Sequence, residues 1–131
     1  MLECLIIGDS IGVGISQQRP ECATNAYSGI ASRTWKVVYG GLMNAKSVVI
    51  SLGSNDHDKI DTQVELYDIR KSITAEKVLW ILPAKKFDKQ RTVVKTVAMA
   101  YNDVMLEIPQ LSADKVHPTG IGYKKLAEMT K

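Results

Sequence analysis

Leu2-Glu3-Cys4-Leu5-Ile6-Ile7-Gly8-Asp9-Ser10-Ile11 opens with an apolar run, stops at a glycine and then offers a hydroxyl. A continuous Leu/Ile run of strand length ended by Gly suits a strand buried on both faces of a parallel sheet. Residues 47–52 and 78–82 repeat the pattern, each rich in Val, Ile or Leu and each closed by Gly or Pro. Weaker strand signals fall at residues 21–25 and 105–108. Between these runs, residues 11–18, 32–43, 61–72, 88–103 and 118–130 read as helices. Ser32, Asp61 and Asp88 are placed to start three of them, and Pro118 to occupy the first turn of the fifth.

Strand alternating with helix implies right-handed crossovers and a parallel sheet covered on both faces. The expected architecture is therefore α/β, a three-layer α/β/α sandwich around a parallel sheet of about five strands. The length of 131 residues suits one domain, residues 1–131, with a sizeable core. Trp35, Tyr39 and Trp80 are expected to help fill it rather than to face a partner.

Composition narrows the function classes. Hydrophobic residues make up 45% and charged residues 24%, the balance of an ordinary globular domain. No apolar run reaches the roughly eighteen residues of a membrane span, so no membrane partner is expected. The first residues lack the basic head and small-residue cleavage site of a signal peptide, which predicts a cytoplasmic protein, with release by lysis or association with a virion as the other routes. A net charge of +3, without aromatic residues interleaved along a basic stripe, predicts no nucleic-acid partner. Lys85, Lys86, Lys89, Arg91 and Lys95 form a basic cluster that reads as a solvated face or as an attractor of an anionic polymer. Cys4 and Cys22 have no CxxC or His-rich company, so they are expected as buried, reduced thiols and no metal is expected. Oligomeric state is open.

In open parallel sheets, ligands bind beyond the carboxyl ends of the strands. Gly8-Asp9-Ser10, Asn25-Ala26-Tyr27-Ser28-Gly29, Gly53-Ser54-Asn55-Asp56 and Pro83-Ala84-Lys85-Lys86 all fall on that rim. A serine hydroxyl there is either a nucleophile at a helix N-terminus or, like Asp9, a helix cap. Donors for a developing oxyanion are available in the backbone N–H of Ser10, the backbone N–H of Gly29 and the side-chain amide of Asn55. Asn55 can equally bond its own turn. Near the other end of the chain, His117 precedes Pro118 and so is held extended just ahead of a helix, with Asp114 three residues earlier. A carboxylate so placed can fix the imidazole tautomer for a base acting on serine. His57, flanked by Asp56 and Asp58, is the competing base or else a solvated loop histidine.

With Ser10, Gly29, Asn55 and His117 in this order on successive rim loops, the chain resembles the SGNH hydrolases, the GDSL esterase and lipase family. Its blocks are matched by Gly8-Asp9-Ser10-Ile11, where leucine is commonest at the last position, by Asn25 to Gly29, by Gly53-Ser54-Asn55-Asp56 and by Asp114-Lys115-Val116-His117-Pro118. The resemblance implies a flavodoxin-like α/β/α fold and a serine esterase without a metal or other cofactor. In it Ser10 is nucleophile, His117 base and acid, and Asp114 the orienting carboxylate, with Ser10, Gly29 and Asn55 as the oxyanion hole. The short chain implies trimmed loops and a shallow cleft, which suits a small acyl group such as acetyl on a large polymer. Compact members with this opening motif look like those of bacteria and their phages, pointing to acylated cell-wall peptidoglycan or capsular polysaccharide. A phage cell-wall lytic enzyme and a non-catalytic carbohydrate-binding or virion module are the alternatives.

Overall fold

The computed structural model describes residues 1–131. Its sheet is built on β1 (Leu2–Gly8), β2 (Ala23–Ala26), β3 (Met43–Ser51), β4 (Ile73–Thr74), β5 (Lys77–Ile81) and β6 (Val104–Leu106). The strand order is β2-β1-β3-β5-β6, every pairing is parallel, and two-residue β4 flanks the start of β3. The helices are α1 (Ser10–Gln18), α2 (Ser32–Tyr39), α3 (Thr62–Lys71), α4 (Asp88–Ala100) and α5 (Gly120–Met129). This is the expected three-layer α/β/α sandwich, with the flavodoxin-like order that reverses direction between β1 and β3.

Period-2 side-chain alternation divides the core in two. Leu5, Ile7, Val48, Ile50, Val78 and Trp80 point to one face, where they pack with Trp35, Leu66, Ile69 and Val94 from α2, α3 and α4. Cys4, Ile6, Val49, Leu79 and Ile81 point to the other, against Ile11 and Ile15 of α1 and Leu126 of α5. Trp35 and Trp80 are fully buried, and Tyr39 is half-buried against the first layer.

Several boundaries differ from expectation for local reasons. The second helix ends at Tyr39, because Gly40-Gly41 breaks it and Gly41 adopts φ +136°, a conformation that favours glycine. Residues 43–46 then alternate buried and exposed, joining β3 four residues earlier than its apolar run. The fifth helix starts at Gly120 rather than Pro118: Thr119 is its cap, accepting the Gly122 N–H, and Pro118 bridges to Leu111 instead. Ser32 and Asp88 are the first residues inside their helices and not caps, whereas Asp61 does cap α3.

Cys4 and Cys22 correct a further expectation: they form a disulfide and are not free thiols. The reason is register. Leu5 pairs with Ala23 across β1 and β2, so the residues just before each are neighbours, with Cα atoms 4.9 Å apart. The bridge closes an 18-residue span that contains all of α1. Such a loop is worth about 3 kcal/mol in the chain-entropy account, so Cys22→Ser is expected to lower the melting temperature by roughly 10 °C. Calorimetry of the oxidised protein and the variant checks this, and coincident transitions would contradict it.

Candidate active site

The carboxyl end of β1 is forced into a sharp turn. Gly8 has φ +144°, and a Cβ there would sit 2.0 Å from the Ser51 carbonyl oxygen, so no other residue fits. The turn is closed by Asp9 N–H donating to Ser51 O at 2.9 Å. Asp9 is the cap of α1: its Oδ1 accepts the Ile11 N–H at 3.0 Å and the Ser51 hydroxyl at 2.9 Å. Ser10, first residue of the helix, is thereby presented at the β1/β3 switch point beside the helix N-terminus.

The other partners come from the loop before α5. Ser10 Oγ lies 2.8 Å from His117 Nε2, and His117 Nδ1 lies 2.7 Å from Asp114 Oδ2. Asp114 Oδ1 accepts the N–H of Val116 at 2.8 Å, the N–H of His117 at 2.9 Å and the Ser112 hydroxyl at 2.7 Å. The loop also closes on itself, Ser112 N–H to His117 O and Thr119 N–H to Gln110 O, both at 2.8 Å. These donors, the His117 ring first, hold the Asp114 carboxyl well below the usual carboxylate range. An ionised acceptor on Nδ1 leaves the Nε2 lone pair facing the serine hydroxyl.

Gly29 and Asn55 lie on the loops that follow β2 and β3. Gly29 has φ +80° and open space where a Cβ would point. Asn55 Nδ2 donates one proton to Ile30 O at 3.2 Å, tying its loop to that of Gly29 and leaving its second proton uncommitted. His57 does not compete for Ser10 in the hydrogen-bond network: its Nδ1 accepts the Lys59 N–H at 3.2 Å. The basic cluster is partly taken up by structure. Arg91 is buried, donating to Pro83 O and pairing with Glu107, while Lys86 Nζ reaches Asp114 O at 3.3 Å. No group of three or more His, Cys, Asp or Glu gathers in metal-holding geometry, and no helix is long and apolar enough to cross a membrane.

Two residues carry more than their sequence signals announce. Asp56 is buried and accepts from Ser32 N, Ser32 Oγ and Thr62 Oγ1, while its carbonyl takes Gln90 Nε2. It binds the Asn55 loop to α2, α3 and α4, and nothing in the local sequence marks it. Asp9 is 1% exposed, and its Oδ2 has no hydrogen-bond partner. Burial pushes its carboxyl up to about 6, against the bonds from Ser51 and Ile11. Because this pKa is raised on folding, the contribution to stability is fully present below the unfolded value near 3.8 and is lost as pH rises through about 6. Asp9→Asn is therefore expected to flatten the decline in stability between pH 4 and 7, a change of up to about 3 kcal/mol, read from denaturant melts at both pH values. An unaltered pH slope would contradict it.

No family model matches the sequence, and no curated protein matches it. Solved structures do match the fold. A crystal structure described as a "putative acylhydrolase" from Bacteroides fragilis NCTC 9343 aligns over 97% of this chain and 83% of its own, with TM-score 0.71 and 17% identity. The C-terminal catalytic domain of Streptococcus pneumoniae peptidoglycan O-acetyltransferase A, solved with a methylsulfonyl adduct, aligns over 96% of this chain and 88% of its own, with TM-score 0.60 and 17% identity. At 17% identity both likenesses are of fold: the two proteins share this chain's α/β/α architecture.

Proposed function

We propose that this chain is a serine esterase that removes small acyl groups, of the acetyl type, from bacterial cell-wall peptidoglycan or capsular polysaccharide. The observation that carries the proposal is the continuous relay from Ser10 Oγ through His117 to Asp114, at 2.8 and 2.7 Å. A serine aligned with a base whose tautomer is fixed by an ionised carboxylate is an activated nucleophile. The two similar folds, an acylhydrolase by description and a peptidoglycan O-acetyltransferase, support acyl chemistry on cell-wall material.

In this reading His117 Nε2 takes the Ser10 proton as Oγ bonds to the ester carbonyl carbon. The carbonyl oxygen becomes an oxyanion, received by the N–H groups of Ser10 and Gly29 and the free Asn55 Nδ2 proton. Collapse breaks the ester C–O bond, and His117 returns its proton to the departing alkoxide. Water then gives a proton to His117 as its oxygen bonds to the acyl carbon; collapse breaks the bond from that carbon to Ser10 Oγ, and His117 passes the proton to Oγ, releasing the carboxylic acid and restoring Ser10. Asp114 stays ionised throughout, and no step uses a cofactor. A sugar hydroxyl in place of that water would make the same site a transferase.

The disulfide supports action in an oxidising compartment, since such bonds are rare in reducing cytoplasm. The test is release of acetate from O-acetylated peptidoglycan and of p-nitrophenol from its acetate ester. Asn55→Ala is expected to lower kcat by on the order of a hundredfold through loss of one oxyanion donor. An unchanged kcat would remove Asn55 from the oxyanion hole. Wild-type protein inactive on both esters would overturn the esterase reading.

A further inference from the structure

A trough of about 660 Å³ leads away from Gly29 and Asn55, walled by Tyr27, Ile30, Tyr39 and His57. We propose that it seats a neutral pyranose ring of the glycan that bears the scissile ester, with Tyr27 as the stacking platform and His57 as a hydrogen-bond donor. The assignment rests on the esterase reading and adds to it a specific part of the substrate.

A pyranose presents an apolar C–H face bordered by hydroxyls, so it calls for a flat aromatic surface with polar groups around the edge. The trough supplies both. Tyr27 is 66% exposed, yet its backbone is fixed: its N–H donates to Gly8 O at the nucleophile turn, and its carbonyl accepts the Ile30 N–H. Tyr39, which also lines the trough, leans on buried Trp35, with ring centroids 5.7 Å apart, and Trp35 Nε1 is pinned to Asn25 O at 2.8 Å. The packed Tyr39 wall and the fixed backbone of Tyr27 reduce the entropy that binding must remove. Thr34 and Ser28 add hydroxyls to the lining. The Lys59 N–H occupies His57 Nδ1, so the neutral ring carries its proton on Nε2 and donates from there.

The lining argues against other occupants. It contains no Asp, Glu, Lys or Arg, which fits an uncharged sugar better than an anionic group. Tyr27 and Val38, at 66% and 60% exposed, leave one side of the trough in water, whereas a long acyl chain is held best where most of its surface is enclosed. The trough also begins at the proposed oxyanion donors, so a ring seated there belongs to the same glycan as the reacting ester.

The experiment compares wild type, Tyr27→Ala and Tyr27→Trp on O-acetylated peptidoglycan strands and on p-nitrophenyl acetate, butyrate and octanoate. Chitotetraose binding is measured separately by titration calorimetry. Tyr27→Ala is expected to lower kcat/KM on the glycan about tenfold more than on p-nitrophenyl acetate, mainly through KM, with Tyr27→Trp restoring the ratio. Chitotetraose is expected to bind wild type and to lose about tenfold in affinity to Tyr27→Ala. An unchanged glycan-to-small-ester ratio, or chitotetraose bound equally or not at all by both proteins, overturns the proposal while leaving the esterase reading intact. Loss of discrimination among the three p-nitrophenyl esters in Tyr27→Ala would instead make the trough an acyl pocket. Inactivity of wild type on every ester, with Tyr27-dependent binding of chitotetraose, would sink the esterase reading and keep the sugar site.

Discussion

Ser10→Ala is expected to abolish ester hydrolysis, lowering kcat for p-nitrophenyl acetate by at least about 10⁴-fold, with the circular dichroism spectrum and melting temperature close to wild type. The size of the effect follows from the chemistry. Removing Oγ deletes the atom proposed to form the acyl-enzyme, while the proposed oxyanion donors, the backbone N–H of residue 10, the Gly29 N–H and the Asn55 amide, remain to polarise a bound ester. What survives is the residual acceleration by binding and oxyanion stabilisation. The fold is spared because the α1 cap is Asp9 and not Ser10: Asp9 keeps its bonds to Ile11 and Ser51 when the hydroxyl is lost. A variant retaining more than about a tenth of the wild-type rate would move the nucleophile elsewhere.

His117→Ala is expected to produce a loss of similar order, with the double variant Ser10→Ala/His117→Ala no slower than the worse single one. Residues that act as a unit are grossly non-additive, since a serine without its base is nearly as inert as no serine at all. The geometry makes them a unit: Ser10 Oγ is hydrogen-bonded to His117 Nε2, and the ring is held from behind by Asp114. Multiplicative losses in the double variant would mean that the two side chains contribute independently. Full activity in His117→Ala together with inactivity in His57→Ala would transfer the role of base to His57, against the bond that occupies its Nδ1.

Much of this was legible in the sequence because it is encoded locally. The apolar runs around Ile6, Val49 and Leu79 mark strands buried on both faces, and the glycine-closed turn at Gly8 is visible as letters. The order Ser10, Gly29, Asn55, His117 carries both fold and candidate site, since topology then puts the ends of four loops on one rim. Features that depend on which strands lie side by side were not legible. The Cys4–Cys22 bridge exists because β1 and β2 are neighbours in a particular register, a fact that the spacing of two cysteines does not contain. Asp56 looks like a turn residue and is instead the buried acceptor that joins Ser32 and Thr62 from two helices. The helix expected over residues 32–43 stops at Tyr39 because Gly40-Gly41 breaks it, and Met43 instead begins β3. The tyrosine-walled trough was likewise invisible, because Tyr27 and Tyr39 lie in different elements and come to line one trough only in the folded chain.

Labelling with a fluorophosphonate probe, followed by peptide mapping, tests the central claim before any natural ester is known. The probe reports an activated serine by forming a phosphorus–oxygen bond with loss of fluoride. The expected result is a single adduct on Ser10, suppressed in His117→Ala and absent in Ser10→Ala. No adduct on folded wild-type protein, or one on a serine other than Ser10, would contradict the account.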